Sequence, residues 1–221
     1  MSVLKKNIFI SKDPSEVFPL EEVIKKAGGQ LYARRFIRFE KSSKSKSYNT
    51  DIIFFSSPRG VHYYLDDFSI ASNTIIGCVG KSTLRALNEF GYRADFVGRD
   101  GKSIDEIAND FKDFADNSTV LFPGSNISLG TIASKFDKEK CVTMEVYRTL
   151  LDSVSTKVFD VYVFTSPSNV RSYLLKNKLP NDVIIIAWGN STEKELLSRG
   201  IKCKKLGTPS LECLINLLSE I

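Results

Sequence analysis

Residues 51–98 recur at residues 160–207, displaced by 109 positions without a gap. Asp51-Ile-Ile-Phe-Phe-Ser-Ser-Pro-Arg-Gly-Val61 lies over Asp160-Val-Tyr-Val-Phe-Thr-Ser-Pro-Ser-Asn-Val170. The match continues through Gly80-Lys-Ser-Thr83 over Gly189-Asn-Ser-Thr192, Gly91 over Gly200 and Gly98 over Gly207, and 15 of the 48 aligned positions are identical. A fixed offset over that length means two copies of one structural unit. A chain of 221 residues then divides into two domains of about 100 residues each. Two such units are expected to leave a cleft lined by the loops that repeat, Ser-Ser-Pro and Gly-x-Ser-Thr.

The pattern between the repeats alternates short apolar runs with helical periodicity. Ile52–Phe55, Thr74–Val79, Ala94–Val97 and Val120–Phe122 read as strands, each followed by a helix: one opened by Pro58, then Lys81–Phe90, Ile104–Phe114 and Ile127–Phe136. The second copy has strands Val161–Phe164, Val183–Trp188 and Lys202–Lys205 with helices Asn169–Leu175, Thr192–Arg199 and Ser210–Ser219. Such alternation predicts parallel sheets with helices on both faces, an α/β fold of two similar flavodoxin-like domains.

The second copy ends one strand–helix unit short. The unclaimed unit is N-terminal, strand Asn7–Ile10 and helix Val17–Ala27 stopped by Gly28-Gly29, and it is expected to complete the C-terminal domain. The domains expected are therefore 1–36 with 150–221, and 40–139. Residues 31–39 and 140–149 would be extended hinge strands crossing between them.

Composition excludes several classes. No apolar run approaches the roughly 20 residues of a membrane helix, and Met1–Ile10 is too short in its apolar part for a secretory signal, so the expectation is a cytoplasmic protein with no membrane partner. Cys78, Cys141, Cys203 and Cys213 form no C-x-x-C pair and His62 is the only histidine, which leaves no metal constellation and four reduced thiols. His62, at a helix start, reads as solvent-facing, and Trp188, at a strand end, as packing. Asp51 and Asp160 precede strands and read as structural caps. Of the net charge of +5, an excess of that size sits in one segment, where Arg34, Arg35, Arg38, Lys41, Lys44 and Lys46 face only Glu40. Such a block is either a solvated linker or an attractor of a polyanion. No aromatic stacking pattern accompanies it, so nucleic acid is not expected.

Candidate site residues follow from the loops after the parallel strands, where ligands bind in such sheets. Ser57 and Ser166 precede helices, as do Lys81, Ser82 and Thr83 with Gly80, and Asn190, Ser191 and Thr192 with Gly189. Gly124-Ser125-Asn126 is a further loop of this kind, and Ser168 and Asn169 follow Ser166. A serine before a helix is an ordinary N-cap. Five such loops also suit a ligand with many acidic groups, because exposed N–H groups at a helix start attract carboxylate or phosphate. No dinucleotide fingerprint, Walker loop or serine-hydrolase elbow occurs.

Taken together, Phe-Thr-Ser-Pro-Ser-Asn-Val (164–170), Gly-Asn-Ser-Thr (189–192) with Gly200, Leu-Phe-Pro-Gly-Ser (121–125) and Val-Tyr-Arg-Thr (146–149) resemble the uroporphyrinogen-III synthase family over nearly the whole chain. The resemblance implies a two-domain, cofactor-free and metal-free lyase of heme biosynthesis. Its substrate would be a small molecule, the linear octacarboxylate hydroxymethylbilane, cyclised with inversion of ring D. It also implies that Tyr147 is the catalytic acid, since a phenol keeps its proton at neutral pH and can donate a hydrogen bond to the departing hydroxyl. Ser57, Ser82, Thr83, Ser125, Ser166, Ser168 and Thr192 would contact carboxylates, with Lys81, Gly124, Asn169, Asn190 and Ser191 beside them. Arg35 stands where many relatives carry a proline. A monomer is expected. The alternative is a two-domain binding protein that closes on a small polyanion without chemistry.

Overall fold

A computed structural model of the protein describes residues 3–43, 46–128 and 130–221. The chain divides into two compact units, Met1–Arg38 with Leu150–Ile221, and Phe39–Thr149.

The strands are β1 (Asn7–Ile10), β2 (Gln30–Ala33), β3 (Ile37–Lys41), β4 (Ile52–Phe55), β5 (Ile75–Cys78), β6 (Phe96–Val97), β7 (Val120–Ser125), β8 (Cys141–Leu151), β9 (Val161–Phe164), β10 (Ile184–Ala187) and β11 (Lys204–Lys205). The helices are α1 (Phe18–Lys26), α2 (Pro58–Leu65), α3 (Lys81–Glu89), α4 (Ile104–Ala115), α5 (Pro167–Leu174), α6 (Asn190–Leu197) and α7 (Leu211–Glu220).

One sheet runs β11-β10-β9-β1-β2 and the other β3-β8-β7-β4-β5-β6. The offset of 109 carries β4 onto β9, β5 onto β10, and the first residues of α2 and α3 onto those of α5 and α6. Beside β4 stands β7, and beside β9, in the equivalent place, stands β1. The N-terminal strand thus completes the sheet of the C-terminal segment, with Ile8 paired to Val161 and Ile10 to Val163 in parallel register.

The central strands are apolar on both faces. In β4, Ile53 and Phe55 join Val61, Tyr64 and Leu87 on the α2/α3 side. Ile52 and Phe54 alternate to the other face and pack on Ala108, Phe111 and Ala115 of α4. In β1, Ile8 and Ile10 meet Leu20, Ile24, Leu214 and Leu218, while Phe9 turns to Tyr162, Phe164 and Tyr173. An aspartate in the equivalent place ties the central strand starts in each sheet. Asp51 accepts from Thr119 N–H at 2.8 Å, and Asp160 accepts from Asn7 N–H at 2.9 Å.

Two expectations are corrected. Residues 127–136 form no α-helix; the helical content described there is a single 3-10 turn, Ala133–Lys135. Gly130 has φ +64° and turns the chain left-handed in mid-segment. Ile132 and Phe136 reach the aromatic face of α4 without a helix. Leu129 of this segment lies outside the described residues. The extended stretch 31–39 is also divided. Gln30–Ala33 is a sheet strand parallel to β1, because Leu31 and Ala33 pack on that core, and only Ile37–Lys41 runs beside β8.

Candidate functional site

In each sheet the chain leaves the central strand in opposite directions, to β5 from β4 and to β10 from β9, while β7 and β1 lie on the other side. The carboxyl edge at such a reversal is where open α/β sheets bind ligands. In the unit 39–149 this edge brings together the end of β7 (Gly124, Ser125), the turn after β4 (Ser56, Ser57) and the turn after β5 (Val79, Gly80). In the other unit it brings together Ser11 after β1, Thr165 and Ser166 after β9, and Trp188 and Gly189 after β10.

Ser57 caps α2, accepting from Gly60 N–H at 3.1 Å. Ser166 caps α5, accepting from Asn169 N–H at 3.2 Å and from Asn169 Nδ2 at 2.9 Å. In both, the oxygen serves the helix and the hydroxyl proton remains able to donate. Gly80 and Gly189 begin α3 and α6 with no side-chain cap, so backbone N–H groups present the donor surface there. Ser82 and Ser191 are exposed at these starts. Lys81 pairs with Asp100 at 2.5 Å, and that carboxylate raises its pKa. Asn190 Oδ1 accepts from Lys205 Nζ at 2.7 Å.

The side chains of Thr83, Thr192 and Asn169 turn into the protein, and Gly124-Ser125 ends a strand rather than opening a helix. Thr83 and Thr192 are almost completely enclosed in protein, and Thr83 Oγ1 has no hydrogen-bond partner among the described residues. Asn169 is buried and fully engaged. Its Oδ1 accepts from Phe36 N–H at 2.9 Å and its Nδ2 donates to Ser166 and Thr165. Ser168, beside it, is also buried. Gly124 and Ser125 do not precede a helix. They end β7 with a bulge, and Ser125 pairs with Tyr147 on β8.

Tyr147 is 7% exposed. Its ring stacks on Tyr63 (centroids 5.1 Å, 18°) and meets Phe39 edge-on at 6.0 Å. Its hydroxyl makes no hydrogen bond among the described residues. Beside it lies a residue that sequence reasoning missed. The guanidinium carbon of Arg59 sits 3.5 Å from the Phe39 ring centroid and 5.9 Å from that of Tyr147. The signal available was a difference between copies, since Arg59 occupies the place of Ser168.

Three cations of the basic block are neutralised locally. Arg34 pairs with Asp152, Arg35 with Glu16 and Asp13, and Lys41 with Asp67. Lys44 lies outside the described residues. His62 is half-exposed, 3.7 Å from Glu89 and edge-on to Phe90. Trp188 packs on the core under Lys12. All four cysteines are free. Among the described residues no metal-binding cluster occurs, and no helix is long and apolar enough to cross a membrane.

Residues 19–209 match the family model described as uroporphyrinogen-III synthase HemD. The fold is similar to a crystal structure of uroporphyrinogen-III synthetase from Helicobacter pylori, with TM-score 0.68 and 16% identity over 98% of this chain and 100% of that one. It is also similar to a mutant uroporphyrinogen III synthase from the extreme thermophile Thermus thermophilus, with TM-score 0.63 and 15% identity over 96% of each chain. At such identities the likeness concerns the fold. No curated protein sequence matches significantly.

Proposed function

The chain belongs to the uroporphyrinogen-III synthase family, and from that premise we propose that it cyclises hydroxymethylbilane with inversion of ring D, giving uroporphyrinogen III and water. Membership makes it an enzyme of tetrapyrrole biosynthesis, a cyclising lyase acting on a small molecule. One observation carries the finer reading: the family match runs from residue 19 to 209 and so includes the carboxyl-edge loops of both copies and Tyr147.

The proposed reaction breaks one C–O bond, and the leaving hydroxyl departs as water after gaining a proton. Electron push from the pyrrole nitrogens drives that departure. The substituted carbon of the last ring then bonds to the freed methylene carbon, giving a spiro intermediate. That intermediate breaks the bond between the same ring carbon and its original bridging methylene, and the methylene so freed bonds to the ring's unsubstituted α carbon, which loses its proton. Substrate equals product plus water, so no oxidant, reductant or cofactor is called for. The bilane closes unaided to the uninverted isomer, so the protein's contribution is to hold one geometry and help the hydroxyl leave.

The side chains suit that division of labour. Tyr147 has a buried ring and a hydroxyl without a partner among the described residues, a donor for the departing oxygen. The glycine-capped starts of α3 and α6 offer backbone N–H groups to acetates and propionates, with Ser82 and Ser191 exposed beside them. Ser57 and Ser166 retain a hydroxyl proton to add.

The test incubates purified protein with hydroxymethylbilane, oxidises the products and separates the isomers. Isomer III in excess is the expected result. Isomer I alone, at the spontaneous rate, would leave only a polyanion-binding protein.

A further inference from the structure

We propose that Arg59 is an anchor for one carboxylate of the substrate, held ready beside the Tyr147 phenol; the inference rests on the reading of the reaction given above. Arg59 is the second residue of α2, at the carboxyl end of β4. Its guanidinium carbon stands 3.5 Å from the Phe39 ring centroid. A guanidinium at that distance uses a face for the aromatic contact and keeps its N–H edges, which match a carboxylate bidentately.

Those edges are unclaimed. Among the described residues Arg59 has neither an acidic partner nor a hydrogen bond. Arg34, Arg35, Arg171 and Arg199 each pair with a carboxylate. Arg59 is also only partly exposed, which separates it from a freely solvated surface arginine.

The fold does not call for a cation at this position. The first turn of a helix favours negative charge, and α2 has no acidic residue in its first turn to balance Arg59. The equivalent place in the other copy is Ser168, which is buried and uncharged, and α5 forms there equally well. A cation set against the helix dipole, fixed on a phenyl ring and lacking an anion, is the arrangement of a binding group rather than of a structural one. Tyr147, whose hydroxyl also lacks a partner among the described residues, has its ring centroid 5.9 Å away. A carboxylate taken by Arg59 would therefore fix the bilane close to the group that assists hydroxyl departure.

The experiment compares the parent protein with Arg59→Gln and Arg59→Lys in steady-state turnover of hydroxymethylbilane, and in titration with uroporphyrinogen III under anaerobic conditions. Arg59→Gln should raise KM and weaken product binding by about 10-fold or more, the scale of a lost charge-assisted hydrogen bond. Its kcat should stay within about threefold. Arg59→Lys, which keeps the charge but loses the fork, should fall between the two. A KM and a product affinity both within about twofold of the parent in Arg59→Gln overturn the proposal. If the parent yields only isomer I, the reaction reading fails instead. Arg59 is then judged by the titration alone, where weaker product binding by the variant supports the anchor and equal binding removes it.

Discussion

Asn169 Oδ1 accepts the backbone N–H of Phe36 at 2.9 Å, joining the first turn of α5 to the end of the N-terminal segment. Phe36 is fully buried, so this donor has no access to water. Replacing Asn169 by Ala leaves it unsatisfied and also frees the Ser166 cap from its second donor. The expected loss is about 2 kcal/mol of folding free energy, read from urea unfolding. KM for the bilane should stay within about twofold, because the amide is occupied inside the protein. A large rise in KM at unchanged stability would return Asn169 to the ligand site.

Asp51 ties β4 to β7 through its carboxylate. The Thr119 hydroxyl (2.7 Å) and then the Thr119 N–H (2.8 Å) hold its carboxyl below the ordinary value. A folded-state pKa below the unfolded one gives stability that is complete above the unfolded value and is lost as pH falls through the folded value. Parent and Asp51→Asn should therefore differ in thermal midpoint above about pH 4 and converge in stronger acid. A difference that persisted unchanged to about pH 2 would assign the effect to something other than this carboxylate.

Much of this architecture is legible in the chain because local chemistry repeats with the offset. Ile52–Phe55 and Val161–Phe164 are continuous apolar runs, Ser57-Pro58 and Ser166-Pro167 are cap and first turn, and each becomes the same element. The missing fourth unit of the second copy likewise points to the N-terminal strand, which β1 fulfils. What spacing does not determine is where a polar side chain at a helix start turns. Thr83 and Ser82 are adjacent, yet one is enclosed and the other exposed. Residues 127–136 carry a helix-like apolar pattern for a related reason, since Ile132 and Phe136 serve a core while Gly130, at positive φ, interrupts the helix. Arg59 escaped notice because its meaning depends on Phe39 and Tyr147, which are distant in sequence.

Gly98 and Gly207 are equivalent in sequence but not in space. A Cβ on Gly98 would lie 2.3 Å from the carbonyl oxygen of Val79, a backbone atom that cannot step aside, whereas Gly207 has open space around it. Gly98→Ala should destabilise by about 3 kcal/mol, and Gly207→Ala should stay within about 0.5 kcal/mol of the parent. Chemical denaturation of the two variants checks the contrast. Equal effects would mean that the turn after β5 is not closed upon the turn after β6 as described.

Burial pushes the Cys78 thiol up to about 11, against a smaller opposing effect from a backbone hydrogen bond with Gly80. Little thiolate then exists near neutral pH, and no path leads to it without local opening. Iodoacetamide labelling followed by peptide mapping should modify Cys78 last of the four cysteines, with Cys141, Cys203 and Cys213 all less buried. In urea the four should react at similar rates. Early labelling of Cys78 in the native protein would contradict its place in the core under α3.

The Tyr147 ring and its hydroxyl have separable roles. The ring is buried against Tyr63 and Phe39, so Tyr147→Phe preserves that packing and removes only an oxygen that makes no hydrogen bond among the described residues. Stability should change by no more than about 1 kcal/mol. If the phenol donates to the departing hydroxyl, kcat should fall by about 10-fold or more. Tyr147→Ala deletes the ring as well and should cost about 3 kcal/mol of stability, so its activity would reflect unfolding as much as chemistry. The Phe variant is therefore the informative one. A rate equal to the parent's, with isomer III still formed, would remove Tyr147 from the chemical step and leave it as the partner on which Tyr63 stacks.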